Sequence, residues 1–218
     1  LAPDVVLTQD LCAVCALPAD EARAAVGPAD VVTLDPHSLA DVLDGAIVVA
    51  AACGAPDAGR RLRAELQGRL DAVEAAVRER PRPRALVLEW TDPPFVAGHW
   101  VPDLVAAAGG EPVLAVPGGR SVTTSWEHVA AADVDVVLVA PCGVGLDDAR
   151  SQALDVLPSL PPDAAVWAVA AGDVVTRPGP RVVDGVEALA AAWHPGTLPL
   201  REDLVADVRA GCAYAGTT

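Results

Sequence analysis

The feature that most constrains the fold is a regular alternation of short aliphatic runs with helical segments. The clearest run, residues 134–140, reads Val-Asp-Val-Val-Leu-Val-Ala. Nearly continuous aliphatic strands are typical of a parallel sheet covered on both faces, whereas a strand with one wet face alternates apolar and polar residues. The same reasoning predicts strands over residues 4–8, 31–34, 85–89, 112–116 and 164–169. The chain is therefore predicted to be an α/β protein.

Helical segments separate these strands. Ser38 is expected to cap a helix that follows it, since a serine hydroxyl can accept a hydrogen bond from a free amide of the first turn. Thr124 and Glu127 have the spacing of a capping box for a second helix. This second helix is predicted over residues 125–132, and hydrophobic periodicity predicts the others over residues 19–26, 99–108, 147–157, 182–193 and 201–209.

A longer amphipathic stretch runs from Asp57 to Arg80. Its apolar residues recur at steps of three and four, as Leu62, Leu66, Leu70, Val73 and Val77. At about 1.5 Å per residue this helix would be roughly 34 Å long, about the width of a small domain. Two interpretations stay open on periodicity alone: a rigid rod that joins two lobes, and a long helix within one domain.

Charge and hydropathy bound the classes of function. The formal net charge is −15, and the pI is about 4.4. Because the arginines are interleaved with carboxylates, no basic patch is available to follow a phosphate backbone, and nucleic acid is not an expected partner. No apolar run approaches the roughly 18 residues that a membrane-spanning helix needs.

Aromatic residues are scarce, yet two of the five tryptophans share one predicted loop. Residues 90–100 follow the strand at 85–89 and hold Trp90, Phe95, His99 and Trp100. In open parallel sheets ligands bind outside the carboxyl ends of the strands, so this loop is a candidate site. Large aromatic faces beside a few polar groups suit a bulky, flat, partly apolar ligand. The alternative interpretation places both tryptophans in the core.

Two other strand ends carry candidate residues. Pro141 and Cys142 follow the strand at 134–140, and Arg177 and Arg181 flank a stiff Pro-Gly-Pro turn after the last predicted strand. The two arginines could clamp a carboxylate or a phosphate. Arginines that end a surface loop are equally common, so both interpretations stay open.

Enzyme motifs are sparse. Neither a Gly-x-Ser-x-Gly elbow nor a His-Glu-x-x-His helix occurs. Cys12 and Cys15 form a Cys-x-x-Cys pair after the first strand, which has a thioredoxin-like appearance. A thiol-disulfide oxidoreductase that uses this pair is therefore the alternative function. One such pair cannot supply the four ligands of a structural zinc site, and no metal site is predicted.

Several runs of sequence resemble substrate-binding proteins of ABC importers, in the class that carries cobalamin and siderophores. The similarity covers nearly the whole chain and rests on PDVVLTQDLCAVCALP, VVTLDPHSLADVL, RPGPRVVDGVEALAAAWHP and the long stretch from LVLEWTDPPFVAGHW to VVLVAPCG. The narrower resemblance is to the members usually labelled cobalamin-binding proteins. In this class two Rossmann-like α/β lobes are joined by one long helix, and the ligand lies in the cleft between them.

The resemblance implies a class III periplasmic-binding-protein-like fold. Its parts would be a first lobe at residues 1–56, a linking helix at 57–81 and a second lobe at 82–218. Class members carry further segments ahead of the run PDVVLTQ, so the resemblance also implies that the first lobe is incomplete here.

The resemblance further implies a binding protein rather than an enzyme. It would hold cobalamin, or a related corrinoid or metal chelate, and pass it to an ABC transporter permease on the extracytoplasmic side. Contact with the membrane would occur only through the permease or a lipid anchor. The implied ligand-binding residues are Cys12 and Cys15 on the first lobe and, on the second, Trp90, Phe95, His99, Trp100, Pro141, Cys142 and Arg177.

Overall fold

The computed structural model describes residues 2–11 and 18–210 and shows two α/β lobes connected by one long helix. The first lobe holds two parallel strands, β1 (Val5–Thr8) and β2 (Asp30–Thr33), with helices α1 (Ala19–Val26) and α2 (Leu39–Ala52). The predicted cap at Ser38 is confirmed: its hydroxyl accepts a hydrogen bond from the Asp41 amide, and the Asp41 carboxylate accepts one from the Ser38 amide. This reciprocal pair satisfies two amides that a helix start leaves free.

The linking helix, α3 (Pro56–Val77), spans 22 residues, which is about 33 Å. The predicted apolar stripe is confirmed, with Leu66, Val73 and Val77 buried and Leu62 and Leu70 packed against the same core. Near its start α3 lies very close to α2, because a Cβ built on Gly59 would come within 2.7 Å of the Ala46 carbonyl oxygen. Further along, Arg69 bonds to Asp184 and Glu187 of the second lobe.

The second lobe is built on a seven-stranded mixed sheet. Its strands are β3 (Arg84–Thr91), β4 (Pro94–Val96), β5 (Glu111–Pro112), β6 (Val122–Thr123), β7 (Val136–Val139), β8 (Ala165–Val169) and β9 (Val205–Asp207). The order is β6-β4-β3-β7-β8-β9, and β5 pairs with β3 outside this path. The three longest strands, β3, β7 and β8, are parallel, whereas β4 and β9 are antiparallel to their neighbours.

Helices cover both faces of this sheet, as the aliphatic strands predicted. They are α4 (Val101–Ala107), α5 (Trp126–Ala130), α6 (Leu146–Val156), α7 (Ala171–Val174) and α8 (Val182–Trp193). Val87 and Leu138 belong to the core shared with α4 and α8. Leu88 and Val139, one residue further along each strand, belong to the core shared with α6. Alternate residues of each strand are thus buried on opposite faces.

Two predicted elements are wrong. The strand predicted over 112–116 is only the two-residue β5, since Leu114 adopts φ 61° and so leaves the extended conformation. The helix predicted over 201–209 is wrong for most of its length, because residues 205–207 form the strand β9, which pairs with the otherwise open edge of β8, and helical conformation begins at residue 208. The apolar residues Leu204, Val205 and Val208 are buried either way, so spacing favoured a helix while pairing with a free sheet edge decided for a strand.

Two local predictions need smaller corrections. The loop predicted over residues 90–100 contains β4, a three-residue strand too short to show a period. The capping box of Thr124 and Glu127 is wrong, because the helix begins one residue later. Ser125 is the cap, and its hydroxyl accepts from the His128 amide. The Thr124 amide instead donates to the Pro94 carbonyl. Within the described parts of the chain, no helix combines the length and the apolar character needed to cross a membrane.

Candidate ligand-binding cleft

A cavity of about 480 Å³ opens where the two lobes meet. It lies beyond the carboxyl ends of the parallel strands, where ligands of open α/β sheets bind. The first lobe contributes residues that follow β1, and the second contributes the end of β3, the start of α4 and the loops after β7 and α7. The lining residues are Gln9, Leu11, Glu89, Gly98, His99, Trp100, Val101, Cys142, Gly143, Thr176, Arg177 and Pro178.

A second cavity, of about 530 Å³, lies between α2, α3 and the turn at residues 178–180. Its walls are mainly aliphatic, and its charged groups are three aspartates, Asp35, Asp41 and Asp44. The inter-lobe cavity instead brings together a histidine, a carboxylate, a thiol and a guanidinium around an apolar wall. Few convergent polar groups in an apolar pocket are the usual composition of a small-molecule site, so the inter-lobe cavity is the candidate.

One wall of the cleft is formed where residues 98–99 cross the segment at residues 118–121. The His99 amide donates to the Gly119 carbonyl (2.6 Å), and the Gly118 amide donates to the His99 carbonyl (3.1 Å). Gly98 allows this approach, because a Cβ there would lie 2.5 Å from the Gly119 oxygen and the Ser121 nitrogen. The crossing holds His99 at φ 53°, a left-handed conformation uncommon for residues other than glycine. Such strained residues cluster at functional sites.

The His99 imidazole is held in a form that can bind an electrophile. Burial lowers its pKa below the ordinary value, and the nearby positive charges of His37 and Arg120 lower it further. Its Nδ1 is buried without a hydrogen-bond partner among the described residues. A neutral imidazole is the commonest side-chain ligand of metal centres, including one carried by a bound molecule.

The first lobe contacts this wall directly. The His37 ring centroid lies 5.8 Å from that of His99, and His37 Nδ1 lies 3.2 Å from the Gly118 carbonyl oxygen. The Leu39 amide, at the start of α2, donates to the Asp103 carboxylate of α4 (3.0 Å). The side of the cleft that carries His99 is therefore in contact with both lobes.

Trp100 has a double role in the cleft. It is only 5 % exposed and belongs to the core, yet it also lines the cavity. Its indole Nε1 donates to the Val175 carbonyl (2.8 Å), which joins the start of α4 to the end of α7. The two interpretations of this tryptophan, core and ligand wall, are thus compatible.

Two other predicted aromatics lie on the hairpin of β3 and β4. Trp90 is 44 % exposed, and its indole donates to the Asp92 carbonyl. Phe95 is its cross-strand partner. Neither these two nor the buried Pro141 belongs to the described lining of the cavity. Their contact with a ligand stays a prediction.

Cys142 and Arg177 both line the cavity. Cys142 carries a half-buried free thiol, and its backbone amide donates to the Glu89 carbonyl (3.0 Å). Arg177 is exposed and forms no ion pair or hydrogen bond within residues 2–11 and 18–210. Arg181, by contrast, forms an ion pair with Asp173. Of the two arginines in the predicted clamp, only Arg177 is thus without a partner among the described residues.

Cys12 and Cys15 lie outside the described residues, so the thiol-disulfide alternative stays a prediction. Among the described residues, no group of three or more histidine, cysteine or acidic side chains could hold a metal ion. Glu89 was missed at the sequence level. Its signal is a carboxylate that directly follows four aliphatic residues at the end of a predicted strand.

Comparison with known proteins adds an independent line of evidence. Residues 1–180 match a family model described as periplasmic binding protein. A periplasmic heme binding protein from Pseudomonas aeruginosa is 25 % identical with a TM-score of 0.72, over 94 % of this chain and 77 % of that one. The apo periplasmic heme-binding protein RhuT from Roseiflexus sp. RS-1 is 27 % identical with a TM-score of 0.68, over 89 % of this chain and 77 % of that one.

A third similar structure extends the likeness in fold. The periplasmic vitamin B12 binding protein BtuF of Vibrio cholerae is 18 % identical with a TM-score of 0.65, over 87 % of this chain and 73 % of that one. At this identity the likeness shows the fold alone. No curated protein matches the chain.

Proposed function

The chain belongs to the periplasmic binding protein family, and from this we propose that it captures cobalamin, or a related corrinoid or metal chelate, in the inter-lobe cleft. It would pass the ligand unchanged to the permease of an ABC importer on the extracytoplasmic side of the membrane. The role is one of binding and release, without a chemical step.

The observation that carries this proposal is the placement of His99 in the cavity. A neutral imidazole stands beside the apolar wall that Trp100 and Leu11 provide. A flat metal chelate needs both features, an apolar surface against its macrocycle and an axial donor for its metal. The cavity volume, about 480 Å³, is within the usual range for small-molecule sites.

Two further groups suit the periphery of such a ligand. Arg177, which has no partner among the described residues, lies at the cavity and can donate to a carboxylate or amide oxygen. Thr176 links the neighbouring loops, because its hydroxyl donates to the Ala171 carbonyl and accepts from the Gly143 amide. Two of the similar structures, at 25 % and 27 % identity, are heme-binding proteins by description, so heme belongs to the chelate class to be compared.

The test is a direct titration of the full chain with cyanocobalamin and, separately, with hemin, followed by tryptophan fluorescence. Both ligands absorb near-ultraviolet and visible light and should quench Trp100 when they bind. The expected result is saturable quenching by at least one of them with one ligand per chain. Linear, non-saturating changes with both would contradict the proposal.

A matched pair of variants separates the site from the rest of the surface. His99→Asn keeps a residue that tolerates the left-handed backbone but removes the imidazole. It should weaken binding by about ten-fold or more, since loss of even an outer-shell partner of a metal ligand costs about that much. His128→Asn replaces an exposed histidine outside the described cavity lining and should leave the affinity unchanged. Equal effects of both variants would argue against the inter-lobe cavity as the site.

A further inference from the structure

Glu89 is the one carboxylate that lines the described cavity. Its position follows from an irregularity in the sheet. Leu88 pairs with Val96, but Trp90 pairs with Phe95, so β3 has one residue more than β4 at this point. The extra residue is Glu89, in a β-bulge. Bulges commonly re-aim a side chain beside a functional site, and here the bulge stands at the carboxyl end of the central strand.

Ser121 connects the segment crossing at Gly98 to the Glu89 carboxylate. The Gly98 amide donates to the Ser121 hydroxyl oxygen (3.1 Å). This oxygen already accepts a hydrogen bond, so the hydroxyl proton is available for the Glu89 carboxylate, with which Ser121 also forms a hydrogen bond. The bond favours the charged, accepting form of Glu89. The crossing that positions His99 therefore also supports Glu89.

The described part of the chain provides no cation for Glu89. It forms no ion pair within the described residues, and burial raises its pKa above the ordinary value, against the smaller effect of Ser121. A half-buried carboxylate with a single hydroxyl partner costs stability. Its remaining acceptor capacity faces the cavity, where a ligand can use it.

We propose that Glu89 makes the cleft select ligands whose edge presents N–H donors, such as carboxamides, over ligands whose edge presents carboxylates. This inference rests on the proposed function and names the preferred class within it. A carboxylate accepts from amide N–H groups in charge-assisted hydrogen bonds, and it repels other carboxylates at short range. An amide-rimmed corrinoid satisfies Glu89, whereas the two propionates of heme do not.

Arg177 would favour the opposite ligand, so the two charges must be weighed. Arg177 is exposed, and water and salt screen its interaction with a ligand. Glu89 is half-buried beneath the crossing of the two segments, where the effective dielectric is lower and each contact is stronger. Glu89 therefore decides the discrimination, and Arg177 contributes a weaker, salt-sensitive attraction for any acceptor.

The test compares Glu89→Gln with the wild-type full chain, using cyanocobalamin as the carboxamide ligand and hemin as the dicarboxylate ligand. Glutamine keeps the size and an accepting oxygen but removes the charge. Cyanocobalamin affinity should fall by about five-fold, the difference between a charge-assisted and a neutral hydrogen bond. Hemin affinity should rise, because the repulsion of its propionates is removed. Glu111→Gln, on the exposed strand β5 away from the cavity, should change neither affinity.

The outcomes separate this inference from the proposed function. Opposite changes for the two ligands support the inference. If both affinities move in the same direction or neither moves, the inference is overturned while the proposed function stands. The same holds if the wild type binds hemin but not cyanocobalamin. If the wild type binds neither, both are overturned. Circular dichroism of each variant shows that the fold is retained.

Discussion

Replacing Arg69 with alanine should weaken the attachment of the linking helix to the second lobe. The Arg69 guanidinium binds Glu187 through two bonds, from Nε to Oε1 (2.8 Å) and from Nη2 to Oε2 (2.6 Å). Nη2 also donates to the Asp184 carboxylate (2.5 Å). Such bidentate pairs are among the strongest side-chain hydrogen bonds in proteins. The hydrogen bonds to Glu187, and then those to Asp184, raise the pKa of Arg69 beyond its already high ordinary value, so it stays charged throughout the accessible pH range.

The expected loss follows from partial burial. Arg69 is 34 % exposed, and Glu187 is 29 % exposed, so the network lies between an exposed pair and a buried one. Exposed pairs contribute at most about 1 kcal/mol, and breaking a buried pair costs about 3–5 kcal/mol. Arg181 lies 3.9 Å from Asp184 and can compensate part of the loss. We expect Arg69→Ala to lower the free energy of unfolding by about 2 kcal/mol, which for a chain of this size lowers the melting temperature by about 4–8 °C.

Urea unfolding followed by circular dichroism measures the change. Arg60→Ala is the matched control, because among the described residues Arg60 pairs only with Asp57 on the same helix, and both side chains are well exposed. It should cost less than about 0.5 kcal/mol. Arg69→Met keeps the aliphatic stem and isolates the charge. A double-mutant cycle of Arg69→Met with Glu187→Gln should show a coupling of about 1 kcal/mol or more. If Arg69→Ala costs no more than Arg60→Ala, the proposed clamp between α3 and α8 is refuted.

Three further predictions test the core and the cleft. Burial lowers the pKa of His194 from its ordinary value of 6.5. Because His194 takes up a proton more readily in the unfolded state than in the folded state, the free energy of unfolding should fall as the pH drops below about 6.5. His194→Gln should lessen that fall in urea titrations between pH 5 and 8. Gly98→Ala should lower the free energy of unfolding by about 3 kcal/mol and impair ligand binding, since its Cβ would meet backbone atoms at 2.5 Å. Gly68→Ala, on the open face of α3, should instead raise the free energy of unfolding by about 0.5–1 kcal/mol, measured by thermal unfolding. Trp100→Phe should cost about 1–2 kcal/mol by chemical denaturation, because the Val175 carbonyl loses its indole donor.

The fold was largely predictable because its main signals are local. The aliphatic runs of β7 and β8, the stripe along α3 and the cap at Ser38 each depend on residues within a few positions of one another. Burial on both faces of the sheet and an exposed outer face of α3 follow from side-chain period alone. The resemblance to binding proteins then assigned α3 its role as the link between two lobes, which periodicity could not decide.

The elements that were mistaken depend on distant partners. The segment that forms β9 has apolar residues at helical spacing, yet an unpaired edge of β8 offered it a ladder of backbone hydrogen bonds. The strand β4 is three residues long and exists because β3 and β6 flank it. Neither partner can be read from the segment itself, so local spacing could not predict either outcome.

The cleft shows the same division more clearly. Sequence alone placed an aromatic and histidine-containing loop after a buried strand, and thus the region of the candidate site. Only the tertiary structure separated Trp100, which lines the cavity, from Trp90, which lies on an outer hairpin. Only the crossing of Gly98 with Ser121, 23 residues away, brought His99 and Glu89 to one wall. Local patterns report how a segment meets water, whereas the geometry of a site is set by which distant segments share the same space.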